Sequence, residues 1–303
     1  MLQDKPNLLV IGARGFLGQH LVQDAKSAFK VFEADLAGPD WKGLAIDIRS
    51  SESIEAGFQK AAPDVVVLLA AISDIDMCES RPEMAEEINV RGVARVVQAC
   101  ARSGARLMFT SSAAVFDGKR HGYGESDVPT PVSVYGRTKA LAEDLITKAL
   151  PSAIILRLAL VLGFAERPGT NAMLNKLAEK LRAGESVSLP TFEFRNPIDA
   201  RTLVDYMLEL HESPATGGVF HVGADEPISR FELGRRLAEK LGFSRDLVQP
   251  EFTPPPGRAP RGRDHFLLTD KIRAACRTPV PDCDIVIERA VHGTSQSRVR
   301  ARV

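Results

Sequence analysis

Three glycines near the start constrain this chain more than any other feature. Gly12, Gly15 and Gly18 stand in Ile11-Gly-Ala-Arg-Gly-Phe-Leu-Gly, after an apolar run at residues 8–11 and at the opening of a helical pattern from about Phe16. A strand that turns through glycines into a helix offers backbone amides and the positive end of the helix dipole to a pyrophosphate. The segment 30–35 reads as the next strand and ends in Asp35, where a carboxylate can accept hydrogen bonds from an adenosine ribose. A tight turn plus a surface aspartate is the plainer alternative. With strand, loop, helix, strand and acid in this order, the chain reads as dinucleotide-binding, with Arg14, Gly15, Phe16, Leu17 and Gly18 forming the loop and the first helical turn.

Apolar runs continue to alternate with helical patterns: a strand at 64–71, a long helix at 82–103, a strand at 106–110, a helix at 133–148 and a strand at 153–158. That rhythm predicts an α/β protein with a Rossmann-type, doubly wound parallel sheet. Beyond about Gly163 the pattern loosens, with helical stretches at 172–183, 200–212 and 229–241 between proline- and glycine-bearing turns. The division is therefore residues 1–162 as a dinucleotide-binding domain and 163–303 as mainly a smaller substrate-binding region, some of whose segments return to the sheet. Residues 253–263 hold four prolines and three arginines, which suits a linker or a substrate loop. From about Thr294 the chain reads as a frayed basic tail.

The chain has 303 residues, 44% of them hydrophobic, enough for a full core. Lysine plus arginine equals aspartate plus glutamate at 39 each, so no global field draws it to nucleic acid or an anionic membrane, and an anionic substrate must be captured locally. No apolar run approaches the roughly 20 residues that cross a bilayer. Cys78, Cys100, Cys276 and Cys283 form no CxxC pair and no zinc-type spacing with histidine, and no signal-peptide pattern leads the chain. A cytoplasmic protein without a metal site is the expectation.

Tyr135 and Lys139 lie four apart on a probable helix and share a face. A phenol titrates near pH ~10, and a neighbouring ammonium and an oxidised nicotinamide both favour the phenolate, which suits proton transfer. Such pairs also occur on helices without function. Ser111 and Ser112 follow the strand at 106–110, at the carboxyl end where open α/β sheets bind ligands, and Ser112 could donate to a substrate oxygen. Capping is the alternative role for either serine. Asp47, followed by Ile48, could accept from an adenine amino group or precede a helix cap at Ser50 or Ser51. Asp35 repels a 2′-phosphate while Arg14 attracts one, so the balance leans to NAD with NADP possible. Cys78 and Cys100 read as packing thiols, and His121 and His221 as structural.

The motifs GARGFLG, Leu69-Ala70-Ala71, Asn89-Val-Arg-Gly, SSAAVFDG and YGRTK, in this order, resemble the extended short-chain dehydrogenase/reductases across nearly the whole chain. The resemblance implies Ser112, Tyr135 and Lys139 as a catalytic triad, Leu69, Ala70 and Ala71 as cofactor neighbours, and commonly a homodimer. VFDG, YGRTKALAE, residues 220–227 and residues 267–272 are similar to the dTDP-4-dehydrorhamnose reductase branch, which implies reduction of a 4-keto nucleotide sugar. That branch usually reads Ser-Thr-Asp-Tyr where this chain has Ser111-Ser112-Ala113-Ala114, and SSAAV is closer to nucleotide-sugar epimerases. Ala113 and Ala114 cannot move protons, which argues against a 4,6-dehydratase. For the substrate, Arg195 before Asn196-Pro197-Ile198, and Arg261 among Arg258, Arg261 and Arg263, could pair with a diphosphate. Solvated surface arginines are the alternative. An epimerase would use the same triad, and the regulatory subunit of methionine adenosyltransferase also looks like this branch, so a non-catalytic dinucleotide-binding subunit stays open.

Overall fold

A strand buried on both faces carries no polar alternation, and the segment Val65–Leu68 is Val-Val-Val-Leu with every residue buried. The computed structural model, which describes residues 5–38, 40–165, 167, 172–212 and 217–293, places it mid-sheet. Seven parallel strands, β1 (Asn7–Ile11), β2 (Lys30–Asp35), β3 (Leu44–Ala45), β4 (Val65–Leu68), β5 (Arg106–Ser112), β6 (Ile154–Leu158) and β7 (Gly218–Val222), run in the order β7-β6-β5-β4-β1-β2-β3. The order reverses direction between β1 and β4, the switch point at which a doubly wound sheet opens a crevice. β7 joins this sheet from well beyond residue 162.

Alternate residues of each strand feed opposite cores. Leu8, Val10, Val65 and Val67 pack with α1 (Phe16–Ala25) and α6 (Ala200–Glu212). Leu9, Ile11, Val66 and Leu68 pack with α2 (Ser51–Ala61), α3 (Val93–Ser103) and α4 (Val134–Ala149). Serine caps start two of these helices: Ser50 Oγ accepts from Ser53 N at 3.1 Å and Ser133 Oγ from Gly136 N at 3.1 Å.

The helix expected at 82–103 is three pieces, Pro82–Glu86, a π-helical stretch Glu87–Gly92, and α3. The widened turn carries Asn89, whose Oδ1 accepts from Ile72 N at 2.9 Å while its Nδ2 donates to Ile72 O at 2.9 Å and Thr138 Oγ1 at 3.2 Å. Such single π turns recur at functional sites. Here the turn ties the end of β4 to the middle of α4.

The remaining segments build a second wall above the carboxyl ends of the strands. They include α5 (Met173–Arg182), α7 (Arg230–Lys240) and α8 (Cys283–His292). Val187–Pro190 pairs with Val248–Glu251, and Phe194–Arg195 lies between Ile228–Ser229 and Asp264–His265. Residues 253–263 run along the cleft as a wall: Asp76 Oδ1 accepts from Ala259 N at 2.9 Å, and Pro260, Arg261 and Gly262 face the opening. No helix among the described residues is long and apolar enough to cross a membrane. The segment from Thr294 lies outside the described residues.

Candidate active site

A cleft of about 720 Å³ opens where β1, β4, β5 and β6 end. Gly12, Gly15, Phe16, Leu17, Gly18, Leu69, Ala71, Ser112, Tyr135, Lys139, Arg195 and Arg261 all line it. Arg14, Asp35, Asp47, Ile48 and Ala70 do not.

The glycine loop fits the phosphates of a dinucleotide. Gly12 has φ +96°, and a methyl added there would stand 2.7 Å from Ala70 N. The loop amides of Gly12 and Ala13 donate to Ala34 O at 2.8 and 3.1 Å, and Gly15 N to Gly12 O at 3.1 Å. Beyond them, the first amides of α1 have no acceptor one turn back, its Gly15 cap contributes no side chain, and its first turn carries no acid. Phe16 and Leu17, which open this helix, line the cleft where an anion would meet its N-terminus.

Asp35 is fastened to the loop: its Oδ2 accepts from Arg14 N at 2.9 Å and its Oδ1 from Leu36 N at 2.8 Å. Lone pairs remain for ribose hydroxyls. The Arg14 guanidinium lies 5.8 Å over the Trp41 ring, beside Gly38. Asp47 is engaged by Arg49, with Oδ2 2.6 Å from Nη2, which holds its carboxyl below the usual carboxylate range. Ile48 is buried.

At the centre, Tyr135 and Lys139 occupy adjacent turns of α4, 9% and 3% exposed. Helix and strand end meet this closely because residue 136 is glycine: a methyl there would lie 2.1 Å from Ala114 O. Ser112 Oγ accepts from Ala114 N at 3.1 Å, and the serine lies near enough to the Tyr135 side chain to favour its phenolate. Burial pushes the Tyr135 phenol up to about 12, opposed by Ser112 and aided by Cys78. This differs from the lowering the Tyr–Lys spacing suggests. Lys139 Nζ donates to Thr110 O at 2.9 Å and lies 5.9 Å from the Tyr135 ring centroid, so its charge is turned towards the strand. Burial lowers Lys139 to about 8, with Glu143 and Cys78 opposing.

A buried polar chain behind the triad was not anticipated from sequence. Glu143, one turn beyond Lys139, accepts from the Ser111 hydroxyl and from Arg157, whose Nη2 is 2.7 Å from Oε2. Arg157 Nη1 reaches Glu125 O at 3.4 Å and His221 Nε2 at 3.3 Å. His221 Nδ1 lies 3.0 Å from Tyr123 O, and burial holds this ring neutral, its pKa near about 3. His121 is exposed and pairs with Asp264 outside the cleft. Cys78 and Cys100 are buried, their thiols pushed up by desolvation to about 11 and about 12.

Of the two arginines expected to meet substrate, both reach the cleft but both are engaged by protein. Arg195 Nη1 donates to Phe194 O at 2.6 Å and Arg263 O at 3.2 Å, and Nη2 to Gly262 O at 3.2 Å beside Glu193. Arg261 grips Asp76, Nη2 to Oδ2 at 2.7 Å and Nη1 to Oδ1 at 3.2 Å.

A doubly wound parallel sheet with a glycine loop at its switch point and a Ser, Tyr, Lys cleft above it defines a Rossmann-fold protein of the short-chain dehydrogenase/reductase superfamily. More narrowly, the chain belongs to the RmlD substrate binding domain family, whose model matches residues 6–294. It is 30% identical over 280 residues to the dTDP-4-dehydrorhamnose reductase of Mycobacterium tuberculosis, covering 90% of this chain and 88% of that one. It is also 25% identical over 258 residues to the methionine adenosyltransferase 2 subunit beta of Xenopus laevis, covering 84% of this chain and 77% of that one. Among solved structures, dTDP-4-dehydrorhamnose reductase from Bacillus anthracis, in complex with NADP, superimposes with a TM-score of 0.86 at 23% identity, covering 96% of this chain and 100% of that one.

Proposed function

We propose that this protein is an NAD(P)-dependent oxidoreductase that reduces the keto group of a nucleotide-activated sugar. The observation that carries the reading is the convergence of Ser112, Tyr135 and Lys139 in the cleft that also holds the glycine loop. The relatives named as reductases of a dTDP-keto sugar support it.

When bound, a reduced nicotinamide supplies the hydride. Ser112, at the end of β5, donates a hydrogen bond to the substrate carbonyl oxygen and orients it. Tyr135 gives its phenolic proton to that oxygen as the carbon accepts hydride, and the C=O becomes CH–OH. A phenol pushed up to about 12 by burial keeps its proton throughout the working range, which suits an acid. Lys139 keeps positive charge beside the tyrosinate that results, and can hold ribose hydroxyls. Asp35 serves the adenosine end while fixing the loop through Arg14 N. The balance between NAD and NADP rests on Asp35 against Arg14.

The test offers NADH and NADPH with a panel of 4-keto and ordinary nucleotide sugars, with Tyr135→Phe as control. A second reading, a dinucleotide-binding regulatory subunit, is favoured by the relation to methionine adenosyltransferase 2 subunit beta. It predicts tight dinucleotide binding, no turnover and a co-purifying partner.

A further inference from the structure

Two elements supply the triad: Ser112 ends β5, while Tyr135 and Lys139 stand on α4. Catalytic groups must be held to within about 0.5 Å of their productive geometry, so the contacts that set α4 against the end of β5 govern how well the triad is aligned. Three residues of β5 meet the helix and the cleft in succession. The Thr110 carbonyl accepts from Lys139 Nζ at 2.9 Å, the Ser111 hydroxyl donates to Glu143 Oε1, and Ser112 faces the cleft. Tyr135, Lys139 and Glu143 follow one another at four-residue intervals on one face of α4. Ser111 therefore joins the two residues that serve Lys139 and the substrate oxygen, and Glu143 holds Ser111.

Glu143 is itself gripped from the far side. Arg157, on β6, donates from Nε to both carboxylate oxygens at 3.0 and 3.2 Å and from Nη2 to Oε2 at 2.7 Å, a two-point contact that fixes the plane of the carboxylate. Glu143 and Arg157 are 4% and 3% exposed. Glu143 stands behind the cleft wall and does not line it. Its charge nevertheless acts there: it favours the ammonium form of Lys139, against the desolvation that lowers this lysine. The other titratable groups facing Lys139 are Tyr135 on its own helix and Cys78 from the helix Ile75–Ser80, while Arg157 faces Glu143. A buried ion pair is a weak source of net stability, so stability alone does not account for this one.

We propose that Glu143 is a positioning residue of the active site, which acts through Ser111 to hold the Thr110 carbonyl and Ser112 in register with Lys139 and Tyr135, and whose charge supports the lysine from behind the cleft wall. Arg157 serves it in turn by fixing the carboxylate. The inference rests on reading this cleft as that of a reductase, and it gives the buried pair on α4 and β6 a part in turnover.

The experiment records pH–rate profiles of the full chain with NADH and NADPH and a panel of 4-keto nucleotide sugars, dTDP-4-dehydrorhamnose first, with dinucleotide affinity and a thermal melt on each sample. Ser111→Ala cuts the tether and leaves the charge: kcat falls about 10- to 100-fold, as expected for misplaced catalytic groups, while the alkaline limb of kcat/KM keeps its wild-type position and dinucleotide affinity is unchanged. Glu143→Gln keeps the shape and an acceptor for Ser111 but removes the charge, so Lys139 loses its ammonium at lower pH and the limb moves that way. The double variant Glu143→Leu with Arg157→Leu leaves neither charge of the pair behind and keeps the test decisive if Glu143→Gln does not fold; it shows both the fall in kcat and the shifted limb. A purely structural pair would move neither readout in folded protein. Folded variants with wild-type kcat and an unshifted limb overturn the positioning role and leave the functional reading standing. A wild type that binds dinucleotide but reduces no keto sugar of the panel overturns that reading and the positioning role with it.

Discussion

Lys139 Nζ and the Thr110 carbonyl oxygen are 2.9 Å apart, so the lysine one turn from Tyr135 is tied to the strand end that carries Ser112. This bond sets the geometry of the triad before any ligand arrives. It leaves the ammonium buried with a neutral carbonyl as its acceptor.

The titration of Lys139 follows from that burial. With its folded pKa near about 8, below the usual lysine value, the native state binds fewer protons than the unfolded chain from about pH 8 up to the unfolded value, so this group's contribution to stability rises with pH over that window. At neutral pH the buried charge is a cost. Lys139→Met is expected to raise thermal stability at pH 7, by on the order of 1–3 kcal/mol, while abolishing turnover. The kcat/KM of the wild type, which reports free-enzyme groups, is expected to fall above about pH 8 as this ammonium is lost. Thermal melts and a pH–rate profile check both.

Gly136 is expected to tolerate no side chain. A methyl 2.1 Å from Ala114 O must separate α4 from the turn after Ser112. Gly136→Ala is expected to cost about 1–3 kcal/mol by overpacking and to lower kcat far more than it weakens dinucleotide binding. Denaturant titration and NADH binding, measured on the same sample, separate the two effects.

Much of this architecture is legible in the sequence, because it rests on local signals. The glycine spacing, the apolar runs of β1, β4 and β5, and the Tyr135–Lys139 interval each follow from one stretch of chain. Two other features depend on partners remote in sequence. Arg157 is hidden inside the apolar run of β6, and nothing near it announces that Glu143 stands opposite. Asn89 looks like an ordinary helical residue until the π turn aims it at Ile72. Arg195 and Arg230 show the same limit for substrate recognition. Sequence singles out Arg195 and not Arg230, and only the fold shows that both line the cleft, the first bonded to carbonyls and the second with its Nε unpaired among the described residues.

Arg157 and Glu143 form a buried pair whose partners depend on each other. Removing the cation alone, in Arg157→Leu, strands a carboxylate beside Ser111 and is expected to cost about 3–5 kcal/mol. The double variant Arg157→Leu with Glu143→Leu is expected to recover part of that loss. A double-mutant cycle by urea denaturation reads the coupling.

Acid sensitivity is expected from two buried histidines. His221 and His265 are held neutral by desolvation and by neighbouring arginines, with pKa values lowered to about 3. Between about pH 6.5 and 3 the unfolded chain binds protons that these native rings refuse, so stability falls as pH falls, by up to about 1.4 kcal/mol per pH unit for each ring. Replacing His265 with Gln is expected to flatten the stability–pH curve over this range in chemical denaturation.

The most direct test of the account follows nicotinamide absorbance while the purified protein, with NADH or NADPH, meets a 4-keto nucleotide sugar. The account predicts cofactor oxidation by the wild type. It also predicts a loss of about 10²- to 10⁴-fold in kcat for Tyr135→Phe, with dinucleotide affinity and melting temperature unchanged. A wild type that binds dinucleotide but oxidises none with any keto sugar, or a Tyr135→Phe variant that turns over as fast as wild type, would contradict it.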